Sequence, residues 1–157
     1  MKSRCGQQPT TGDRAWLEAQ AQALPEALRA RYCLIPYIGA ELREIYAATD
    51  LLVGRAGAGT VNECCHLGLP ALFIPFPGAS ANEQAANARI VAEAGAAMVL
   101  LEATLTPERL RDSILGLLED RARLKQMGEQ ARRLAIPDAA DRLVQLLCDI
   151  AQEGQAR

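Results

Sequence analysis

Short apolar runs alternate with longer segments of helical periodicity along most of this chain. The apolar runs have the length and composition of buried strands, and they fall at residues 32–35, 51–53, 69–74 and 96–101. A short strand is also predicted at the very start of the chain. Because strands and helices alternate through residues 32–101, the sequence predicts an α/β fold, a Rossmann-like parallel sheet with helices on both faces.

Helical periodicity and capping residues place the helices between and after these strands. A first helix is predicted to start with Asp13 as its cap and to be interrupted at Pro25, and it carries Trp16, for which core packing is predicted. Further helices are predicted at about 40–48, 60–67, 81–94, 107–119, 121–134 and 138–153. Residues 1–12 are predicted to be a polar N-terminal segment and residues 13–157 a single domain.

Composition narrows the class of protein. The chain has 157 residues, 50% hydrophobic and 23% charged, which is typical of a globular domain. Its formal net charge of −2 gives no general nucleic-acid surface. No apolar run is long enough to span a bilayer and no signal peptide is recognised, so a soluble cytoplasmic chain is predicted. The five cysteines form no C-x-x-C pair, so free thiols are predicted, with adjacent Cys64 and Cys65 as small buried side chains.

A glycine-rich turn follows the apolar run at 51–53. Gly54, Gly57 and Gly59 lie between that strand and a helix predicted to begin at Thr60. Glycines allow close approach of a ligand, and helix N-terminal N–H groups favour anions, so a phosphate is predicted at residues 57–61. An ordinary strand-to-helix turn is the alternative, because Thr60 and Glu63 have the spacing of a capping box.

Three loops follow the carboxyl ends of the predicted strands, at residues 37–39, 54–60 and 76–84. Ligands of open parallel sheets bind at that edge, so these loops are predicted to converge on one site. Within the third loop, Ser80 and Glu83 have the spacing of a second capping box.

A set of motifs in this order resembles the C-terminal domain of the MurG-type glycosyltransferases, glycosyltransferase family 28. The motifs are Gly54-Arg-Ala-Gly-Ala-Gly-Thr-Val-Asn-Glu63, Gly68-Leu-Pro-Ala-Leu-Phe-Ile-Pro-Phe76 and Glu83-Gln-x-x-Asn87. The resemblance implies one half of a GT-B fold, in which the C-terminal half binds the donor. It implies inverting transfer of N-acetylglucosamine from UDP-N-acetylglucosamine to a lipid-linked muramyl-pentapeptide, in peptidoglycan synthesis on the cytoplasmic face of the inner membrane. Neither a cofactor nor a metal is implied, and no Asp-x-Asp motif is present.

The resemblance also implies roles for individual residues. Ile38 matches the position whose backbone reads the uracil edge. Arg55 matches an arginine at the end of the strand, where it would stabilise the leaving diphosphate, with a structural pairing to Asp50 or to a carbonyl as the alternative. The phosphate-binding turn corresponds to Ala58, Gly59 and Thr60.

Glu63 matches a glutamate that hydrogen-bonds the ribose hydroxyls. Gln84 matches a glutamine that contacts the hydroxyls of the sugar. Glu83 departs from the family, which has Gln or His there, so a sugar contact and a capping role with Ser80 both stay open.

The N-terminal half of the family, which supplies the acceptor site, has no counterpart in this sequence, and neither does the first strand of the C-terminal half. The chain is therefore predicted to be a donor-binding domain whose missing half acts in cis or in trans. The alternatives are a non-catalytic UDP-sugar-binding module, a subunit of a split lipid-linked transferase and a domain like UDP-N-acetylglucosamine 2-epimerase. An apolar stripe on the last helix is predicted either to form an exposed interface or to pack on the sheet: Leu143, Leu146, Leu147 and Ile150.

Overall fold

The computed structural model describes residues 2–4 and 12–155. The chain divides into two compact units, residues 1–48 and residues 49–157. Both units are built from parallel strands and helices, as the sequence predicts, but the strands form a separate sheet in each unit. The extent of the functional domain, residues 13–157, stays a prediction.

The described residues of the first unit, 2–4 and 12–48, form a two-stranded parallel sheet and three helices. Its elements are β1 (Lys2–Arg4), α1 (Asp13–Ala23), α2 (Glu26–Arg29), β2 (Cys33–Ile35) and α3 (Leu42–Ala47), with β1 paired to β2. The strand predicted at the start of the chain and the interruption at Pro25 are confirmed. The cap predicted at Asp13 is wrong, because Gly12 precedes the helix in the left-handed conformation with a φ of 66° and Asp13 is already helical. Core packing of Trp16 is also wrong, since this side chain is 63% exposed.

The second unit contains a three-stranded parallel sheet in the order β3-β4-β5. Its elements are β3 (Leu52–Gly54), α4 (Ala58–Leu67), β4 (Ala71–Phe73), α5 (Glu83–Glu93), β5 (Ala97–Val99), α6 (Pro107–Glu119), α7 (Arg121–Leu134) and α8 (Ala139–Gln155). Helices α6 and α7 have the predicted bounds. The hydroxyl of Thr106 accepts the N–H of Arg109 at 3.2 Å and thereby caps α6, whose first residue is Pro107.

Strand β4 is the centre of the second unit's core. All three of its residues are buried, and successive strand residues point to opposite faces, so both faces of the sheet are covered. Leu72 packs in one cluster with side chains from the end of β5 and from α6 and α7: Leu100, Leu117, Leu124 and Met127. This burial on both sides explains why the run at 69–74 is apolar without alternation.

Helices α4 and α7 approach each other through two glycines. Gly68 ends α4 in the left-handed conformation, with a φ of 65°. A side-chain carbon added at Gly128 of α7 would lie 2.5 Å from the carbonyl oxygen of Gly68. Arg132, one turn further along α7, donates a hydrogen bond to the carbonyl of Leu67 at 3.2 Å. The close approach of these backbones therefore depends on the absence of a side chain at Gly128.

Helix α8 presents its apolar stripe to solvent. The side chains of Leu143, Leu146, Leu147 and Ile150 are each more than half exposed, so packing of this stripe on the sheet is wrong. None of the described helices is both long and apolar enough to cross a membrane.

Self-association of the purified chain through α8 is expected, because an exposed stripe of four apolar side chains gains free energy when it is covered. Light scattering should show a mass that rises with protein concentration. Leu146→Glu should reduce this rise, whereas Gln152→Glu, which places the same charge on a polar position of α8, should not. A strictly monomeric wild-type chain at high concentration would contradict the expectation.

Candidate donor-binding site

The N-terminus of α4 lies directly after the carboxyl end of β3. The helix begins at Ala58, two residues before the predicted start, and the N–H of Val61 donates to the carbonyl of Gly57 at 3.0 Å. The N–H groups of residues 58–60 therefore precede the first intrahelical hydrogen bond. Gly57 provides no side-chain cap, and the first turn carries no acidic residue. This helix end has the charge and the donors that suit an anion.

The capping box predicted at Thr60 and Glu63 is wrong. Because α4 begins at Ala58, Thr60 is its third residue and Glu63 lies in the second turn, beyond the reach of a capping interaction. Residues three apart share a helix face, with Cβ atoms roughly 5–6 Å apart. The Thr60 hydroxyl and the exposed Glu63 carboxylate therefore follow the anion site along one side of α4.

The glycines of this turn face open space. A side-chain carbon at Gly57 or at Gly59 would meet no other atom within 4 Å. Gly57 has a φ of −65°, which every residue type adopts readily. Neither packing nor backbone conformation in the described residues therefore requires glycine at these two positions.

Arg55 lies across the carboxyl end of the sheet. Its Nη1 donates to the carbonyl oxygens of Ile74 at 3.1 Å and Pro75 at 3.3 Å, and it forms a short ion pair with Glu102. The structural pairing of Arg55 with carbonyls is confirmed. Pairing with Asp50 is wrong, because Asp50 accepts a hydrogen bond from Arg121 at 3.1 Å.

Gln84 is anchored to the segment that follows β4. Its Oε1 accepts the backbone N–H of Phe76 at 3.0 Å, which fixes the orientation of the amide. One turn later on α5, Asn87 donates to the carbonyl of the fully buried Ala56 at 3.2 Å. Helix α5 is thus tied both to the loop after β4 and to the glycine-rich turn after β3.

The start of α5 differs from the predicted one. The helix begins at Glu83, and Ala81 and Asn82 before it both have positive φ, 50° and 57°. Asn82 is the N-cap and makes no side-chain capping bond, so the capping box predicted at Ser80 and Glu83 is wrong. Glu83 is exposed in the first turn of α5, where the helix dipole favours its negative charge. Its contact with a sugar stays a prediction.

Ile38 lies in the first unit, in the loop after β2, and is half-buried. Loops beyond the carboxyl ends of parallel strands are where ligands of open α/β sheets bind. The role of its backbone stays a prediction.

The adjacent cysteines of α4 are structural. Cys64 and Cys65 are buried, as predicted. Burial, followed by the neighbouring Cys65 and Glu63, raises the pKa of Cys64 to about 12, and burial also raises the pKa of Cys65. Since the thiolate is the reactive form, both side chains act as small apolar groups at neutral pH.

Comparison with known sequences supplies the family. The sequence model described as the glycosyltransferase family 28 C-terminal domain matches residues 9–143. The chain belongs to glycosyltransferase family 28. A relative from Rhodopseudomonas palustris (strain HaA2) is 40% identical over 133 residues, which is 85% of this chain and 36% of the relative. That relative is named UDP-N-acetylglucosamine–N-acetylmuramyl-(pentapeptide) pyrophosphoryl-undecaprenol N-acetylglucosamine transferase. The chain thus spans about a third of the length of this curated relative.

Solved structures of glycosyltransferases share the fold. MurG of Acinetobacter baumannii matches with a TM-score of 0.76 and 32% identity, over 94% of this chain and 42% of the MurG chain. The glycosyltransferase VinC in complex with DTDP matches with a TM-score of 0.61 and 27% identity, over 76% of this chain and 27% of VinC. The predicted membership of the MurG-type family and the α/β fold of a GT-B half are confirmed.

The structure adds the side chains of Glu102 and Phe76 to the site residues predicted from the sequence. Glu102 pairs with Arg55, and the Phe76 ring lies under the same guanidinium, 5.4 Å from its central carbon to the ring centroid. Glu102 follows β5 as Arg55 follows β3. This place at the carboxyl edge of the sheet was the feature from which the sequence could have indicated Glu102 as a site residue. Its side chain could be assigned a partner only once the strand order was known.

Proposed function

We propose that this chain is the donor-binding part of a glycosyltransferase that moves N-acetylglucosamine from UDP-N-acetylglucosamine to a lipid-linked muramyl-pentapeptide. The observation that carries this proposal is the uncapped N-terminus of α4 beside Gly57 and Gly59, where a diphosphate would be bound by the N–H groups of residues 58–60. The name of the R. palustris relative supports the choice of donor and acceptor.

The open glycines support a ligand at this turn. Since Gly57 and Gly59 are not needed for packing, the space in front of them is available to a group that approaches the backbone. VinC, which shares the fold, is seen in complex with DTDP, a nucleoside diphosphate. During transfer, negative charge would develop on the departing diphosphate, and the N-terminal dipole of α4 would stabilise it.

The face of α4 beyond this turn would hold the ribose. A carboxylate accepts two hydroxyl hydrogen bonds at once, and Glu63 lies one turn past Thr60 on the same side. Thr60 would add its hydroxyl to the diphosphate.

The sugar would be bound by Gln84. Because its Oε1 is occupied by the N–H of Phe76, its Nε2 is the group that would donate to a sugar hydroxyl. Glu83 precedes it in the first turn of α5 and would accept from a second hydroxyl. Attack by the acceptor would require a base from the part of the enzyme that this chain does not span.

A subunit of a split transferase, or a non-catalytic UDP-sugar-binding module, is the second candidate. Adding the remaining half of the R. palustris relative in trans should restore transfer of N-acetylglucosamine if the chain is catalytic in an assembly. No transfer with a half that folds and associates would favour the binding module.

Calorimetric titration with UDP, UDP-N-acetylglucosamine and UDP-glucose tests the proposed donor. UDP and UDP-N-acetylglucosamine should bind, and UDP-glucose, which lacks the acetamido group, should bind more weakly than UDP-N-acetylglucosamine. If none of the three ligands gave a measurable heat of binding, a donor site in this chain would be contradicted.

A further inference from the structure

Arg55 connects the carboxyl ends of all three strands of the second unit. It follows β3, its Nη1 donates to two carbonyls directly after β4, and it pairs with Glu102 after β5. Neighbouring strands lie about 4.8 Å apart, so the pair Arg55–Glu102 crosses β4 in a sheet with the order β3-β4-β5. The pair holds the segment after β4 against the rest of the sheet edge.

Glu102 is itself held in place by its own turn. It begins the short 3₁₀ turn Glu102–Thr104, in which the N–H of Thr104 donates to the carbonyl of Leu101 at 3.1 Å. Arg109 of α6 donates to the Thr104 hydroxyl at 2.7 Å and to its carbonyl at 3.1 Å. The carboxylate that orients Arg55 is thus presented by a turn that α6 fixes.

Phe76 links this pair to the predicted sugar-binding residue. Its ring lies under the guanidinium of Arg55, 5.4 Å from the central carbon to the centroid. The ring also lies close to Gly78, where a side-chain carbon would come within 2.8 Å of it. The backbone N–H of Phe76 donates to Oε1 of Gln84 at 3.0 Å. Any shift of Phe76 would therefore change the direction of the Gln84 amide.

The positive charge of Arg55 is paired with the carboxylate of Glu102. Its ion pair with Glu102 and its contacts with Ile74 and Pro75 all involve one nitrogen, Nη1. A guanidinium that is paired with a carboxylate attracts a diphosphate less than an unpaired one does. This arrangement suits a residue that fixes a loop better than one that binds an anion.

We propose that Glu102 is a positioning residue for sugar recognition, acting through Arg55 and the 74–76 segment on the amide of Gln84. This inference rests on the proposed donor site. It gives Arg55 the same positioning role. Binding of the sugar would then depend on the Arg55–Glu102 pair, and binding of the nucleotide would depend on α4.

The test compares Glu102→Gln with the wild-type chain by calorimetric titration of UDP and of UDP-N-acetylglucosamine. The variant should bind UDP-N-acetylglucosamine about two- to tenfold more weakly, the effect of one misdirected hydrogen bond, and should bind UDP within about twofold of wild type. Glu129→Gln, which removes the same charge from an exposed position of α7, should change neither affinity. Thermal unfolding of both variants checks that the fold is retained.

A second measurement needs no ligand. Solvent exchange of the Phe76 amide proton, followed by NMR, should be faster in Glu102→Gln than in wild type or Glu129→Gln, because its hydrogen bond to Gln84 loosens. The proposal is overturned if Phe76 exchange is unchanged, if UDP and UDP-N-acetylglucosamine lose affinity equally, or if UDP binds more tightly because Arg55 is released to the diphosphate. If wild type binds neither ligand, the proposed donor site is wrong, and Phe76 exchange then decides only whether Glu102 positions the Gln84 amide.

Discussion

Replacing Glu63 by alanine is expected to weaken the binding of UDP about 10- to 100-fold. A hydrogen bond to a charged group contributes about 1.5–3 kcal/mol, and 1.4 kcal/mol corresponds to a factor of ten in affinity. The ribose hydroxyls would lose the hydrogen bonds that the Glu63 carboxylate accepts, whereas the phosphate-binding N–H groups of α4 would be unchanged. Calorimetric titration of UDP into the two proteins gives the ratio directly.

The controls for this variant separate the ligand from the helix. Alanine favours helix formation more than glutamate does, so α4 should stay intact, and circular dichroism can check this. Glu63→Gln keeps one acceptor oxygen and should give an intermediate affinity. Glu129→Ala removes an exposed glutamate of α7 and should bind UDP as wild type does. Tight binding by Glu63→Ala with an intact helix would show that the ribose assignment is wrong.

Gly128→Ala is expected to destabilise the chain by about 1–3 kcal/mol, the usual effect of overpacking. The added carbon would lie 2.5 Å from the carbonyl oxygen of Gly68. That oxygen belongs to the backbone at the end of α4, so it cannot move aside as the end of a flexible side chain can. Helices α4 and α7 would have to separate, and urea unfolding should show a lower midpoint.

Gly116→Ala is the matched control for this substitution. Gly116 lies within α6, and a side-chain carbon there would meet nothing within 4 Å. The same chemical change should therefore stabilise the chain by about 0.5–1 kcal/mol, because glycine is a poor helix former. Opposite shifts of the two midpoints support the packing of α4 on α7. A Gly128→Ala variant as stable as Gly116→Ala would contradict it.

The helices that were predicted best have local start signals. Thr106 and Pro107 fix the start of α6 by a cap and a preset φ, and both effects act within a few residues. The buried strands were recognisable for a similar reason, since a strand such as β4 that is covered on both faces must be apolar throughout.

The two predicted capping boxes failed because the same residues fit a helix in more than one register. Gly57, three residues after β3, has an extended conformation with a ψ of 149° and serves as the N-cap of α4 without a side chain. The helix then starts before Thr60. At α5, the left-handed conformation of Asn82 replaces the box predicted from Ser80 and Glu83. A spacing of three residues cannot distinguish these registers.

The contact between Arg55 and Glu102 was outside the reach of local patterns. The two residues are 47 positions apart, and their meeting depends on the order β3-β4-β5 and on the side on which each strand ends. The phosphate turn predicted at residues 57–61 needed only a strand, a turn and a helix, whereas the ribose role predicted for Glu63 was implied by the family resemblance. This difference explains why the phosphate turn was predicted from the local pattern and the contact between Arg55 and Glu102 was not.

Titration of the ¹⁵N-labelled chain with UDP, followed by NMR, tests the central claim most directly. A diphosphate bound at the N-terminus of α4 should shift the amide resonances of residues 57–61 most strongly and in a saturable way, because those N–H groups would donate to it. It should shift the amides of α6 and α7 little. Saturable shifts centred elsewhere in the chain, or none at millimolar UDP, would contradict a donor site at this helix.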